Sequence, residues 1–287
     1  MKTKNRNLTK ILVESSLMIA FATVLSLVKL AEMPYGGSIT LASMTPIAFI
    51  AYRHGTSAGL GAGVVYAALQ QLLGLNSLSY VTGWQSVIAV ILLDYVLAFT
   101  AVGFAGVFKG RFGADKIDTE SGRQRVELGT GMAFACVLRY ILHTVAGATV
   151  WAGLSIPTEA ALIYSIGYNA TYMIPETVVN VLVAVWLGGI IDFSRDVPVR
   201  FAASEDRGAS KYGLISVLRH LSIALIFAAV IADAALIFPY LQHPDDGSFT
   251  FELLRSVRWA WVIAISSVCV LISACSLVTE RIILRKR

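Results

Sequence analysis

Leu138-Arg139-Tyr140-Ile141-Leu142-His143, leading on to Trp151, and Tyr164-Ser165-Ile166-Gly167-Tyr168-Asn169-Ala170-Thr171-Tyr172-Met173-Ile174-Pro175-Glu176 set ionisable and hydrogen-bonding groups inside two long apolar runs, 127–153 and 162–192. Runs of this length are long enough to cross a bilayer as helices. Ionisable side chains at that depth are costly and persist where they face a bundle interior or a solute cavity rather than lipid. The two stretches therefore predict an all-α, polytopic membrane protein whose helices enclose a small polar molecule.

The rest of the chain agrees. Hydrophobic residues make up 56% of it and charged residues 14%, with a mean hydropathy of +0.71, whereas a soluble domain carries about a quarter charged residues. Further apolar runs lie at 11–30, 56–75, 84–108, 214–240 and 258–284, with a shorter one at 39–52 that suits a tilted or partly inserted helix; eight candidate spans result. The basic start, Lys2, Lys4, Arg6 and Lys10, leads into the first run without an A-x-A cleavage site, which predicts a retained helix and not a signal peptide.

The net charge of +5 does not point to nucleic acid, because the basic residues alternate between loops instead of forming one face. With the N-terminus inside, the cytoplasmic segments hold Arg53, then Lys109, Arg111, Lys116, Arg123 and Arg125, then Arg195, Arg200, Arg207 and Lys211, and finally Arg281 to Arg287. The opposite loops, 31–38, 76–83 and 154–161, contain no Lys or Arg, so both termini are expected in the cytoplasm of a multi-pass plasma-membrane protein. Cys136, Cys269 and Cys275 all lie in apolar runs without metal-ligand spacing and read as packing residues. Residues 194–213 have a linker's composition. They divide a six-helix, substrate-binding membrane domain (1–193) from a C-terminal transmembrane hairpin (214–287).

Three helices carry candidate chemistry. On the fifth, Arg139, His143, Gly147 and Trp151 recur every four residues and share one face. On the sixth, Asn169, Tyr172, Glu176 and Asn180 form a polar stripe beside Tyr164, Tyr168 and Tyr172. Glu176 is expected to pair with Arg139. On the fourth, Asp94-Tyr95 interrupts an apolar run, and its carboxylate needs a partner, either Arg139 or a cationic or N–H-bearing solute. Aromatic rings beside a carboxylate suit a flat heteroaromatic cation, since a ring face attracts a desolvated cation by about 2 kcal/mol or more. No metal site and no catalytic residue is expected. On the first helix the pairs Ser16/Ala20 and Ala22/Ser26 would allow close approach of another helix.

These residues resemble the thiamine-specific substrate-binding components of energy-coupling factor transporters, the ThiT family. The resemblance rests on Pro34 to Leu41, Met44-Thr45-Pro46, Tyr52-Arg53-His54-Gly55, Gln70-Gln71, Leu92 to Phe99, Leu138 to His143 and Tyr164 to Glu176, in order over 8–192. It implies a six-helix bundle with an outward pocket for thiamine, lined by Asp94, Tyr95, His143, Trp151, Tyr164 and Asn169, in which Trp151 and Tyr164 stack on the ligand. It implies partners too: a transmembrane coupling subunit met by Ser16, Ala20 and Ala22, and two ATPase subunits. The family's first external loop carries an aromatic residue for which only Tyr35 stands here, and the hairpin after residue 213 has no counterpart. Three other readings stay open: the same bundle for a thiamine precursor or other heteroaromatic vitamin, a stand-alone proton-coupled carrier using Asp94, Glu176 and Asp233, and an intramembrane enzyme using Asp94, His143 and Glu176.

Overall fold

A computed structural model describes residues 2–33, 36–81, 83–112, 119–151, 161–201, 209–241 and 251–285. The chain separates into two compact units, Met1–Arg200 and Phe201–Arg287.

The first unit opens with α1 (Lys2–Leu27), followed by a short antiparallel hairpin of β1 (Lys29–Glu32) and β2 (Ser38–Thr40). Then come α2 (Thr45–His54), α3 (Thr56–Leu73), a turn at Leu75–Tyr80, α4 (Trp84–Phe108), α5 (Glu120–Thr149) and α6 (Ala161–Gly188). A second two-stranded ladder, β3 (Ile191–Asp192) with β4 (Val199–Arg200), closes the unit. The second unit is α7 (Ala209–Ile237) and α8 (Trp259–Arg285).

Among the described residues six helices are long and apolar enough to span a membrane: Leu8–Leu27, Trp84–Phe108, Glu120–Thr149, Ala161–Gly188, Leu221–Leu241 and Trp259–Thr279. Eight were expected. The ten residues of α2 rise about 15 Å, half of the roughly 30 Å hydrocarbon thickness, and α3 carries Gln70-Gln71 in its last turn. The expected linker 194–213 is also shorter than its composition suggested, because α7 begins at Ala209; residues 202–208 lie outside the described set.

Local sequence explains the boundaries. Pro46 sits in the first turn of α2, where a missing N–H costs nothing. Gly55 joins α2 to α3 with φ of +92°, a conformation that side chains resist. Thr119 caps α5 by accepting from the Gly122 amide at 3.1 Å. Residues Ile91–Leu97 of α4 wind as a π-helix. A π segment advances the chain by more residues per turn than its flanks, so it resets which side chains face inward, and such segments gather at functional sites.

Lipid offers helices little hydrophobic reason to associate, so close backbone approach has to hold them. Glycines supply it here: a Cβ added to Gly131 on α5 would lie 2.0 Å from the Ala105 carbonyl on α4, and one added to Gly106 would lie 2.3 Å from the Ala51 carbonyl on α2. Around this crossing Ile47, Ile50, Tyr66, Val102, Leu128 and Met132 are fully buried. Gly131→Ala is therefore expected to destabilise the protein by about 1–3 kcal/mol through overpacking against a backbone that cannot yield, read from thermal unfolding in detergent.

At one end of the unit an ionic web ties three segments together. Arg53 grips Glu14 of α1 with two bonds, Nε–Oε2 at 2.9 Å and Nη2–Oε1 at 3.0 Å, and donates to the carbonyls of Phe193, Arg195 and Asp196. His54 meets Glu14 at 2.7 Å, and Lys10 pairs with Asp196.

In the second unit, Ser222 and Ser273 exchange hydroxyl-to-carbonyl bonds at 3.4 and 3.1 Å, and Ser266 donates to Asp233. Asp233 thus packs against a neighbouring polar group on the facing helix.

Candidate substrate-binding site

A cavity of about 250 Å³ opens among the β1–β2 hairpin and helices α3, α4, α5 and α6. Specific small-molecule sites typically occupy about 300–1,000 Å³, so it suits a compact solute. The polar groups on its wall form two layers.

The first layer centres on Asp94, which the π segment turns inward. His143 Nδ1 lies 2.8 Å from Asp94 Oδ1, and Trp151 Nε1 donates to Oδ2 at 2.9 Å. Both carboxylate oxygens thus face ring N–H groups. This fixes the imidazole as the Nδ1–H tautomer, an assignment made from the hydrogen-bond network. His143 Nε2 is then a bare acceptor, buried and without a protein partner. Asp94, His143 and Trp151 all line the cavity. Of the two partners offered for Asp94, Arg139 is not the one it meets: the carboxylate is held by His143 and Trp151, and Arg139 pairs with Glu176.

The second layer rests on the polar stripe of α6. Arg139 Nη1 donates to Glu176 Oε2 at 2.9 Å, both side chains being almost fully buried, and the guanidinium stacks over Phe99 at 4.5 Å. Thr40 Oγ1, from β2, donates to Glu176 Oε1 at 3.0 Å and lies 2.7 Å from Ser43 Oγ. Asn180 extends the link by accepting from the Met44 amide and the Thr45 hydroxyl at 3.2 and 3.1 Å. The hairpin is in this way pinned to α6 through buried polar contacts.

Between the layers, Asn169 donates to the carbonyls of Ser165 and His143 at 2.9 and 3.2 Å and accepts from the Tyr172 hydroxyl at 2.7 Å. Tyr172 meets both Tyr168 and His143 edge-to-face, with ring centroids 5.9 and 6.5 Å apart. Tyr95 donates to the Gly74 carbonyl at 3.2 Å and lies 2.9 Å from Ser77 Oγ, which holds the 75–80 turn beside the cavity.

A sequence model of the family described as Thiamine transporter protein (Thia_YuaJ) matches residues 12–191, well over half of the chain. The chain belongs to this family. The match spans the first unit, so this thiamine transporter family member carries the second unit as an addition to the region the family shares. It is 30% identical to the thiamine transporter ThiT of Bacillus subtilis over 174 residues, 60% of this chain and 86% of that one. It is 26% identical to the thiamine transporter ThiT of Lacticaseibacillus paracasei over 185 residues, 60% of this chain and 84% of that one. Among solved structures, ThiT from Listeria monocytogenes superposes with a TM-score of 0.51 at 27% identity, over 62% of this chain and 92% of that one. The family consists of transporters, not enzymes, and the protein is a multi-pass membrane protein.

Of the residues singled out in the sequence of this family member, Asp94, Tyr95, His143, Trp151 and Asn169 converge on one cavity. Tyr164 does not line it; it packs against the cluster of Val81, Val90, Ala146 and Trp151 instead. Tyr35 lies outside the described residues. On α1, Ser16 and Ala20 are exposed, while Ala22 is fully buried in the core. The placement of Ala22 on a partner-facing surface is therefore corrected, since its methyl group packs the bundle. Sequence reasoning missed Thr40, Ser43 and Ser77, short hydroxyl residues outside any helical stripe. Among the described residues no cluster of three or more His, Cys, Asp or Glu is placed to hold a metal ion.

Proposed function

We propose that this chain captures thiamine at the outer face of the membrane and delivers it inward as the substrate-binding component of an energy-coupling factor transporter, with a transmembrane coupling subunit and two ATPase subunits as partners. The observation that carries the ligand is the Asp94–His143–Trp151 arrangement on the cavity wall. It sets a carboxylate, an indole face and an unpaired imidazole acceptor around one small space. Thiamine offers the matching parts: a cationic thiazolium for the carboxylate and the aromatic faces, and an aminopyrimidine whose N–H groups suit the free Nε2 of His143. Each thiamine N–H brought to Nε2 replaces an unsatisfied buried acceptor with a hydrogen bond, so binding removes a cost that the empty site carries.

The orientation follows from charge. The cavity is walled by Gly36, Gly37, Ser77 and Trp151, which adjoin the loops free of Lys and Arg, while the Arg53–Glu14 web lies among the basic segments. The positive-inside rule then puts the cavity mouth outside and both termini in the cytoplasm.

The sequence has no G-x-x-x-x-G-K-[ST] phosphate loop, so ATP hydrolysis falls to partner subunits. Coupling through α1 makes a separable prediction. Ala20→Trp, at an exposed position, is expected to abolish thiamine uptake in cells that also express the coupling and ATPase subunits, while purified protein binds thiamine within about twofold of wild type. Ala22→Trp, in the core, is expected to lower the yield of folded protein instead, because overpacking costs about 1–3 kcal/mol or more. Uptake that persists in cells lacking the ATPase subunits counts against the assembly and favours a stand-alone carrier.

A further inference from the structure

Four charged side chains line the cavity: Asp94, Glu176, Arg139 and Lys29. Lys29 is tied to Glu32 three residues along β1 and is half-exposed, so solvent and its partner screen it. Arg139 and Glu176 cancel one another at 2.9 Å, and the Thr40 hydroxyl completes the second oxygen of Glu176. His143 turns Nδ1 to Asp94 at 2.8 Å and leaves Nε2 buried without a protein partner. Among the described lining residues this leaves Asp94 as the one carboxylate that no Lys or Arg pairs with.

We infer that the Arg139–Glu176 pair is the charge-selectivity device of the site: by cancelling itself on the cavity wall it leaves the Asp94 carboxylate unopposed by any arginine or lysine, so the site selects a monocation over a neutral molecule of the same shape. Glu176 is here a positioning residue that acts through Arg139 and need not touch the ligand. The guanidinium is the dangerous partner. An arginine stays charged in any protein environment, and it sits on the wall of a cavity built for a cation. Without Glu176 it would cancel Asp94 and leave the site with no preference for positive charge.

This inference rests on the thiamine reading, and one titration series separates the two. Wild type, Glu176→Gln and the double variant Arg139→Gln/Glu176→Gln are titrated calorimetrically with thiamine and with its neutral analogue in which a phenyl ring replaces the thiazolium. Thermal unfolding monitors the fold of each. Wild type is expected to prefer thiamine by about 100-fold, or about 2.7 kcal/mol. Glu176→Gln is expected to weaken thiamine by about 10- to 100-fold while the neutral analogue changes by less than about threefold, so that the preference collapses. The double variant, with both charges gone, is expected to restore the preference to within about fivefold of wild type.

Equal weakening of both ligands by Glu176→Gln, or a preference that survives it, overturns the inference. If Glu176→Gln does not fold, the double variant decides: a kept preference supports the inference, and a lost one shows that Glu176 itself meets the cation. Wild type that binds neither compound overturns the thiamine reading instead.

Discussion

Asp94→Asn is expected to weaken thiamine binding by at least about 100-fold, or about 2.7 kcal/mol, with little change in the temperature of unfolding. The substitution keeps the shape of the side chain and removes two things at once. One is the negative charge opposite the ligand's cation, where a contact at about 4 Å is worth about 4 kcal/mol in an effective dielectric of about 20, less the desolvation of the ligand. The other is acceptor capacity: Asp94 takes the N–H groups of both His143 and Trp151, and an amide has one oxygen to offer them. The orphaned partner either turns away or turns the amide, and in each case the imidazole loses the orientation that Asp94 gives it. Calorimetric titration of the purified variant checks the loss. An affinity within about fivefold of wild type would mean that this carboxylate does not face the ligand.

The second large effect falls on stability. Arg139→Ala leaves Glu176 with only the Thr40 hydroxyl in a site almost closed to solvent. Removing one member of a buried ion pair costs about 3–5 kcal/mol, because the remaining charge stays desolvated without its partner. The same substitution also strips the guanidinium from the Phe99 ring. Arg139→Met/Glu176→Met, which removes both charges and keeps most of the volume, is expected to recover most of that loss, since buried pairs are often replaceable by well-packed apolar residues. Equilibrium unfolding in mixed micelles measures both. A cost below about 1 kcal/mol for Arg139→Ala would show that water or another group reaches Glu176.

These two residues show what the sequence disclosed and what it hid. Arg139 and Glu176 lie on regular α-helices, so the 3.6-residue period placed each on an inward stripe, and two opposite charges buried in hydrocarbon had little choice but to meet. Asn169 and His143 were legible for the same reason. Asp94 announced itself by its cost in an apolar run, but its partner could not be read, because the π-helical turn at Ile91–Leu97 breaks the period on which such a reading depends.

The β1–β2 hairpin was hidden for another reason. Strands of four and three residues are too short to show alternation, and what fixes Thr40 is a hydrogen bond to Glu176, 136 residues away. Ala22 was misplaced because a small residue at helix spacing marks close approach without saying to what; here the neighbour is the protein's own core. Hydropathy likewise promised eight spans, since it counts apolar residues and does not see that α2 ends after ten.

The most direct test of an enclosed thiamine site is equilibrium dialysis of the purified full chain, without partner subunits, against radiolabelled thiamine, with unlabelled riboflavin and biotin as competitors. Saturable binding of one thiamine per chain, displaced by unlabelled thiamine and untouched by the other two vitamins, is the expected result. Absence of saturable binding by folded protein, or equal displacement by all three, would contradict it.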